Sequence, residues 1–432
     1  MSPDPYAPRP IDRPTEVPLD GTVELSVLDE AKIFAAPDDP ALWPAWRDAL
    51  HRWRADARRR LDYDGHAYDG TGWAATTHVV ALVWLWDERL YDHAAGRFTP
   101  EAFLAEADAE FGGFDGIVLW QAYPVIGVDE RNQFDFYREV PGLPELVAAL
   151  RAAGLRVMVD YNPWDTGTRR EPVDDAGAVG RLVRDLGADG VFLDTLKEGA
   201  AALRAALPAG VALESESRVP LVRIADHAMS WGQWFADSPV PGVLRATWFE
   251  RRHMVHHTRR WHRDHLAELH SAWLNGAGIL VWDAVFGVWV GWNARDRALL
   301  RAARRVWRAA GDLFTTAEWT PLADHPGDGQ PVYASRWERS DRTLWTVVNR
   351  SAEPFQGTWL APVDMPGRRW TDLVTGAALA PEPGPDGRVR VGGSLPPGGI
   401  AAVLATAGEP PERDAVALAA ARAAVDAHGS PT

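Results

Sequence analysis

The sequence predicts an eight-stranded β/α barrel followed by a small all-β sandwich, and three observations carry that prediction. Between residues 79 and 283, short apolar runs alternate with helix-like stretches of about 10–12 residues, the pattern of βαβ units around a parallel sheet. Two of the runs, residues 113–120 and 187–194, share the pattern G-x-D-G-[IV]-x-L-x at a spacing of 74 residues. Such a repeat fits a barrel assembled from similar units. Beyond Leu313 the chain turns to short alternating or apolar runs broken by Pro, Gly, Asp and Asn, the signature of an antiparallel sandwich.

Taken in order, residues 1–20 hold six prolines and little periodicity, and read as a loosely docked arm. Trp43, Trp46, Leu50 and Trp53 recur at spacings of three and four and predict an amphipathic helix over 42–61. The barrel strands are expected at 79–86, 113–120, 155–160, 187–194, 211–216, 228–231 and 278–283. The run 79–86 is continuously apolar, as a strand buried on both faces must be. Helices are expected at 100–111, 143–153, 176–186 and 196–207. A further strand, seventh in order, belongs between 245 and 257, where the pattern is poor. The competing architecture is a doubly wound open sheet, which calls for a glycine-rich phosphate loop after its first strand, and none follows residue 86. Sandwich strands are expected at 332–337, 343–349, 388–391 and 400–406. The resulting division is a lead-in over 1–77, a barrel over 78–315, a sandwich over 316–408 and an Ala-rich helical tail or linker over 409–432.

Composition narrows the function. The 432 residues suffice for a barrel of roughly 250–300 residues and a domain of about 100. A formal net charge of −15 argues against binding nucleic acid, which needs a basic footprint, and against docking on anionic membranes. No cysteine occurs, which removes disulfides, thiolate nucleophiles and cysteine-ligated metals. The first residues lack a basic segment leading into an apolar one, so the expected location is cytoplasmic. Tryptophan is abundant, 22 residues against 8 Tyr and 13 Phe. Its indole N–H needs a partner in a core, whereas its face packs well on the C–H face of a sugar ring.

In a β/α barrel the active site lies at the carboxyl ends of the strands. The residues there are almost all carboxylates and aromatics: Trp86, Trp120 and Tyr123, Asp160 and Trp164, Asp194, Glu214, Glu216 and Arg218, Trp231 and Trp234, and Trp282 with Asp283. Carboxylates move protons and stabilise an oxocarbenium ion, and aromatics hold ring faces. Asp194 closes a strand of apolar residues and is the leading nucleophile; its structural alternative is an N-cap for a helix from about Leu196. Glu214 and Glu216 share a face of the next strand by the period of two. Either suits a proton donor, with preference for Glu216 as the outer of the two, and either can instead pair with Arg218. Asp160 is expected to bind substrate hydroxyls or support Asp194, or else to pair with Arg156 or Arg169. Asp226, Asp237 and Asp283 are reserve acids. His253, His256, His257, His262, His265 and His270 raise a metal-dependent barrel hydrolase as an alternative. No His-Glu-x-x-His occurs among them, interleaved arginines disfavour a dication, and neither a metal nor a cofactor is expected. A non-catalytic carbohydrate-binding barrel is the remaining alternative.

These residues give the chain a resemblance to the α-glycoside hydrolase barrels of the α-amylase and α-galactosidase types. The run Asp189-Gly-Val-Phe-Leu-Asp194 resembles their fourth strand, which ends in the nucleophilic aspartate. The strand with Glu214 and Glu216 resembles the α-amylase type, whose acid/base glutamate lies there. In the α-galactosidase type the acid/base is an aspartate two strands on, which points to Asp226 or Asp237. Residues 344–350 and 395–399 resemble the sandwich domains of the same enzymes. The resemblance covers residues 78–406 and implies a retaining glycosidase acting on α-linked sugars, with carbohydrate as the partner. The chain departs from the α-amylase type by lacking Asn-His-Asp after the seventh strand. It also carries Asp160-Tyr-Asn-Pro-Trp-Asp165 where that type has Asp-x-x-x-Asn-His.

Overall fold

The computed structural model describes residues 12–21, 23–121, 129–165, 169–233, 236–327, 329–408 and 412–428. Its centre is a closed parallel barrel of eight strands: β1 (Val79–Trp84), β2 (Gly116–Trp120), β3 (Arg156–Tyr161), β4 (Gly190–Leu193), β5 (Ala212–Ser215), β6 (Met229–Gln233), β7 (Met254–Thr258) and β8 (Gly278–Val281). They pair in chain order, and β8 returns to β1 through Ile279 opposite Val79. Side chains fill the inside and helices cover the outside, so the strands are buried along almost their whole length.

The internal repeat has a physical job. Gly113 (φ 91°) and Gly187 (φ 65°) hold left-handed turns after the helices α2 (Pro100–Phe111) and Asp175–Leu186, where a side chain would strain the backbone. Two residues later an aspartate locks the incoming strand to its neighbour. Asp115 accepts from Val79 N–H at 3.0 Å and Asp189 accepts from Val157 N–H at 3.0 Å. Each also holds an arginine, Arg304 at 2.9 Å and Arg156 at 3.1 Å. The following Gly116 and Gly190 face backbone carbonyls of the next strand, Arg156 and Ala212, so closely that a Cβ would stand 3.2 Å from each.

Of two expectations for the barrel, the weakly marked seventh strand is met and one helix needs correction. The seventh strand is Met254–Thr258; its pattern is poor because His256 and His257, both fully buried, stand where apolar residues would have marked it. The helix expected over 196–207 shrinks to Ala201–Ala206. Thr195 takes a left-handed conformation (φ 63°), Leu196 C=O accepts from Glu216 N–H at 3.1 Å, and Gly199 N–H donates to His227 at 2.9 Å. These bonds hold the backbone out of a helical path.

The helix α1 (Trp43–Arg60) buries Trp46 and Trp53, and Trp53 meets Phe34 at 4.9 Å and Phe249, just before β7, at 6.2 Å. Toward the C-terminus two antiparallel sheets form. One has six strands, Glu318–Pro321, Val332–Glu338, Arg342–Asn349, Ile400–Ala407, Arg368–Asp372 and Ala378–Leu379 in spatial order; the other has three, Phe355–Leu360, Val389–Leu395 and Glu382–Pro383. Trp345, Trp359 and Trp370 lie in their common core. The four strands expected from the sequence are all present, while 318–321, 355–360 and 368–372 escaped it because Gly, Pro, Arg and Asp dilute their alternation. Trp273 and His270 join barrel to sheets, donating to Val347 C=O at 3.1 Å and contacting Gly398 C=O at 2.8 Å. The tail helix runs Glu412–His428. Among the described residues no helix is long and apolar enough to cross a membrane.

Replacing Asp115 or Asp189 by Ala removes the acceptor of a strand N–H. Each change is expected to cost about 1–3 kcal/mol in urea unfolding, and Asp→Asn, which keeps an acceptor oxygen, less.

Candidate active site

Three carboxylates gather at the carboxyl ends of consecutive strands. Asp160 lies near the end of β3, Asp194 directly follows β4, and Glu216 directly follows β5. Asp160 is in register with Phe192, and Phe192 with Glu214. That face points inward, because Phe192 stacks on Trp231 of β6 at 4.4 Å and Glu214 meets His256 of β7 at 2.5 Å. Asp194 and Glu216 continue the same alternation one layer toward the mouth.

The backbone and a few side chains fix their positions. Asp194 N–H donates to Tyr161 C=O at 3.0 Å, and Asn162 Nδ2 donates to the Asp194 carboxylate at 2.9 Å. The left-handed Thr195 turns its N–H onto the Glu216 carboxylate, while Trp164 Nε1 donates to Thr195 Oγ1 at 2.6 Å. Arg260 lies 3.7 Å from Glu216 Oε1 and spreads over the rings of Trp282 and Phe286, at 5.7 and 5.8 Å. The Asp194 helix-cap alternative fails, since the next helix is capped at Ala200.

Burial and like charge act together here. Burial, then the charge of Glu216, push Asp194 up to about 7. Burial also raises Glu216, against the pull of Arg260 and the Thr195 N–H. Asp160 is driven well above the carboxylate range by burial and then by Asp194. Asp194 and Glu216 share a hydrogen bond, so the pair titrates as a unit. The buried side-chain amide of Gln121 bonds the Asp160 carboxyl and pulls against the rise of Asp160. Both groups keep hydrogen-bonding capacity that a substrate hydroxyl can use.

Of the residues expected from the sequence, Asp160, Asp194, Glu216, Trp120, Trp231 and Trp282 come together, with Trp164 on the rim, 70% exposed. Trp120 meets Trp282 edge to face at 5.7 Å, and Trp231 meets Trp282 at 6.2 Å. Trp86 and Asp283 lie toward the β1 and β8 side, where Asp283 pairs with Arg89 at 3.2 Å and burial pushes its carboxyl up to about 6. Tyr123 and Trp234 lie outside the described residues. Glu214 sits one layer deeper, fully buried against His256. Arg218 is drawn to Glu30 at 2.5 Å rather than to either glutamate. Arg156 and Arg169 pair with Asp189 and Asp135, which leaves Asp160 to the site. Asp226 is held by His227 and Arg223 and lowered to about 2, and Asp237 binds Arg350 at 2.5 Å.

The histidines are spread through separate contacts. His253 meets Tyr68 at 2.9 Å and Ser230 at 2.8 Å, His265 stacks on Trp292 at 3.9 Å, and His270 meets Gly398. Among the described residues no three His, Asp or Glu side chains stand together as a metal site. Sequence reasoning missed Gln121, Asn162, Thr195, Arg260 and Phe286. Asn162, two residues beyond Asp160, was the most accessible of them; nothing in the pattern singled out Arg260 from its neighbouring arginines.

No family model matches the chain, and no curated protein does. Solved structures do. An α-amylase of Anoxybacillus is 10% identical, with 78% of this chain covering 99% of that one at a TM-score of 0.51. An α-amylase of Geobacillus thermoleovorans, complexed with acarbose, is 11% identical, with 78% of this chain covering 99% of that one at a TM-score of 0.50. At such identities the likeness is one of fold.

The raised Asp194 carboxyl makes the folded state hold a proton that the unfolded chain releases. Stability therefore falls as pH rises from about 4 through about 7. Asp194→Asn should match or exceed the parent in melting temperature at pH 8, and that advantage should shrink toward pH 4 in calorimetry across the range.

Proposed function

We propose that this chain is a glycoside hydrolase acting by double displacement on α-linked sugars, with Asp194 as nucleophile and Glu216 as general acid/base. The observation that carries the reading is the half-buried Asp194–Glu216 pair, whose carboxyls share a hydrogen bond at the mouth of the barrel. Glycosidases need one ionised and one protonated carboxyl facing a single bond; the pair's one proton, held on Asp194 in the unliganded protein, passes to Glu216 as substrate seats and leaves Asp194 ionised for attack. A ring seated between them parts the carboxyls toward the 5–5.5 Å or so that double displacement uses. Asp194 then attacks the anomeric carbon while Glu216 protonates the departing oxygen. In the second half Glu216 takes a proton from water, which displaces Asp194 from the sugar.

The surroundings support these roles. Asn162 holds the nucleophile oxygen. Arg260 stabilises Glu216 when it is ionised, which is its state after each proton delivery. Asp160 and Gln121, bonded to each other, offer their remaining hydrogen-bonding capacity to hydroxyls, and Trp120, Trp231 and Trp282 form an apolar floor. The partnership of Glu214 with His256 favours Glu216 over Glu214 as the acid/base. The α-linkage rests on the likeness of the fourth and fifth strands, and of the whole fold, to α-amylases.

Two measurements test the proposal. Across a panel of aryl α- and β-glycosides, Asp194→Ala should lose about 10³-fold or more in kcat/KM with its folding intact. Near-parental activity in that variant would reject the nucleophile assignment. The parent's pH profile should be bell-shaped, with its alkaline limb near 7, where the pair loses its shared proton. A profile flat to pH 9 would contradict the shared-proton acid.

A further inference from the structure

Beyond the catalytic pair, the barrel mouth carries a second concave surface. After β8 the chain makes a two-residue hairpin, with Ala284 opposite Trp289 and Val285 opposite Val288. Its turn residues, Phe286 (φ 48°) and Gly287 (φ 79°), are both left-handed. Tight hairpins favour this conformation, but Asn or Asp ordinarily takes the first position and a bulky residue there is strained. The strain places the Phe286 ring 5.6 Å from Trp120, 5.1 Å from Trp282 and 6.0 Å from Trp261, beside the arginine that pairs with Glu216.

On the hairpin's other strand, Trp289 is 57% exposed. It borders a cavity of about 460 Å³ shared with Trp84, Trp86, Asp87, Arg89 and His93. Arg89 is fixed at this wall by Asp87 at 2.8 Å and Asp283 at 3.2 Å, and lies over the Trp289 ring at 5.0 Å. Asp283 Oδ1 is buried with no partner among the described residues. A chain of ring contacts runs from this cavity to the catalytic pair: Trp84 on Trp120 at 6.0 Å, Trp120 on Trp282 at 5.7 Å, and Trp282 under Arg260. Among the described residues, every exposed Phe, Tyr or Trp (Trp164, Trp261, Phe286 and Trp289) follows β3, β7 or β8 at this mouth.

We infer that this cavity is a second sugar subsite, in which Trp289 stacks on one ring while Asp87, Arg89 and His93 hydrogen-bond its hydroxyls. The natural substrate is therefore an oligosaccharide of at least two rings, held across the β1–β8 side of the mouth. This rests on the glycosidase reading above. An aromatic face beside fixed polar groups is how a site grips a ring that is apolar on its face and polar at its edge.

The test is a glycan array of mono- to tetrasaccharides, probed with the full chain as Asp194→Ala and as the same variant with Trp289→Ala or Trp289→Phe. Asp194→Ala should bind glycans of two or more rings at least about tenfold more tightly than any single ring. Trp289→Ala should abolish that increment and Trp289→Phe restore most of it, with unchanged circular dichroism. Equal binding with and without Trp289, or affinity independent of ring number, would overturn the subsite while leaving the glycosidase reading in place. Absence of binding to every glycan would overturn both.

Discussion

The register between β4 and β5 is the constraint on which the site depends. It places Asp194 and Glu216 side by side in a half-buried layer, where the charge of Glu216 raises the cost of ionising Asp194. Two like charges at a partly enclosed barrel mouth are unfavourable, and the protein offsets this with the Asn162 amide, the Thr195 N–H and the Arg260 guanidinium. Thr195 must leave the ordinary regions of backbone space to present its N–H. Strain and charge repulsion thus meet at one corner of the barrel, as they do where function is placed above stability.

The rest of the fold secures that register from below and from the sides. Asp115 and Asp189 pin the starts of the strands on which the carboxylates depend, each through a backbone N–H. Deeper in the barrel, Glu214 and His256 form a buried pair, with His256 also on Thr77 C=O at 2.7 Å. Such a pair is stable only while both partners are present. It fills the layer beneath Asp194 and Glu216 with fixed polar groups, so the carboxylate layer above rests on a rigid base.

The barrel was legible because parallel strands buried on both faces leave continuous apolar runs, and because the repeat around Asp115 and Asp189 marks two strand starts. The seventh strand was obscure because buried histidines occupy it, and the hydrophobic signal cannot see a polar side chain whose partner lies far along the chain. Asp194 and Glu216 were legible from their position at strand ends. Arg260 was not, since its approach to Glu216 depends on how the loop after β7 folds back over Trp282. Between Glu214 and Glu216 the sequence offered only a preference for the outer residue, and the pairing of His256 with the inner one supplies the physical reason. The helix after Asp194 was overestimated because its composition favours a helix while the bonds of Leu196 and Gly199 hold the chain elsewhere.

The central claim is that Asp194 and Glu216 act as one coupled pair holding a proton near neutrality. Carboxyl ¹³C NMR of the unliganded protein, followed from pH 3 to 9 and assigned with Asp194→Asn and Glu216→Gln, tests it directly. A titration step near pH 7 is expected that both carboxyls report and that vanishes when either is replaced. Two independent carboxyls, each titrating below pH 5 and indifferent to the other's removal, would contradict it.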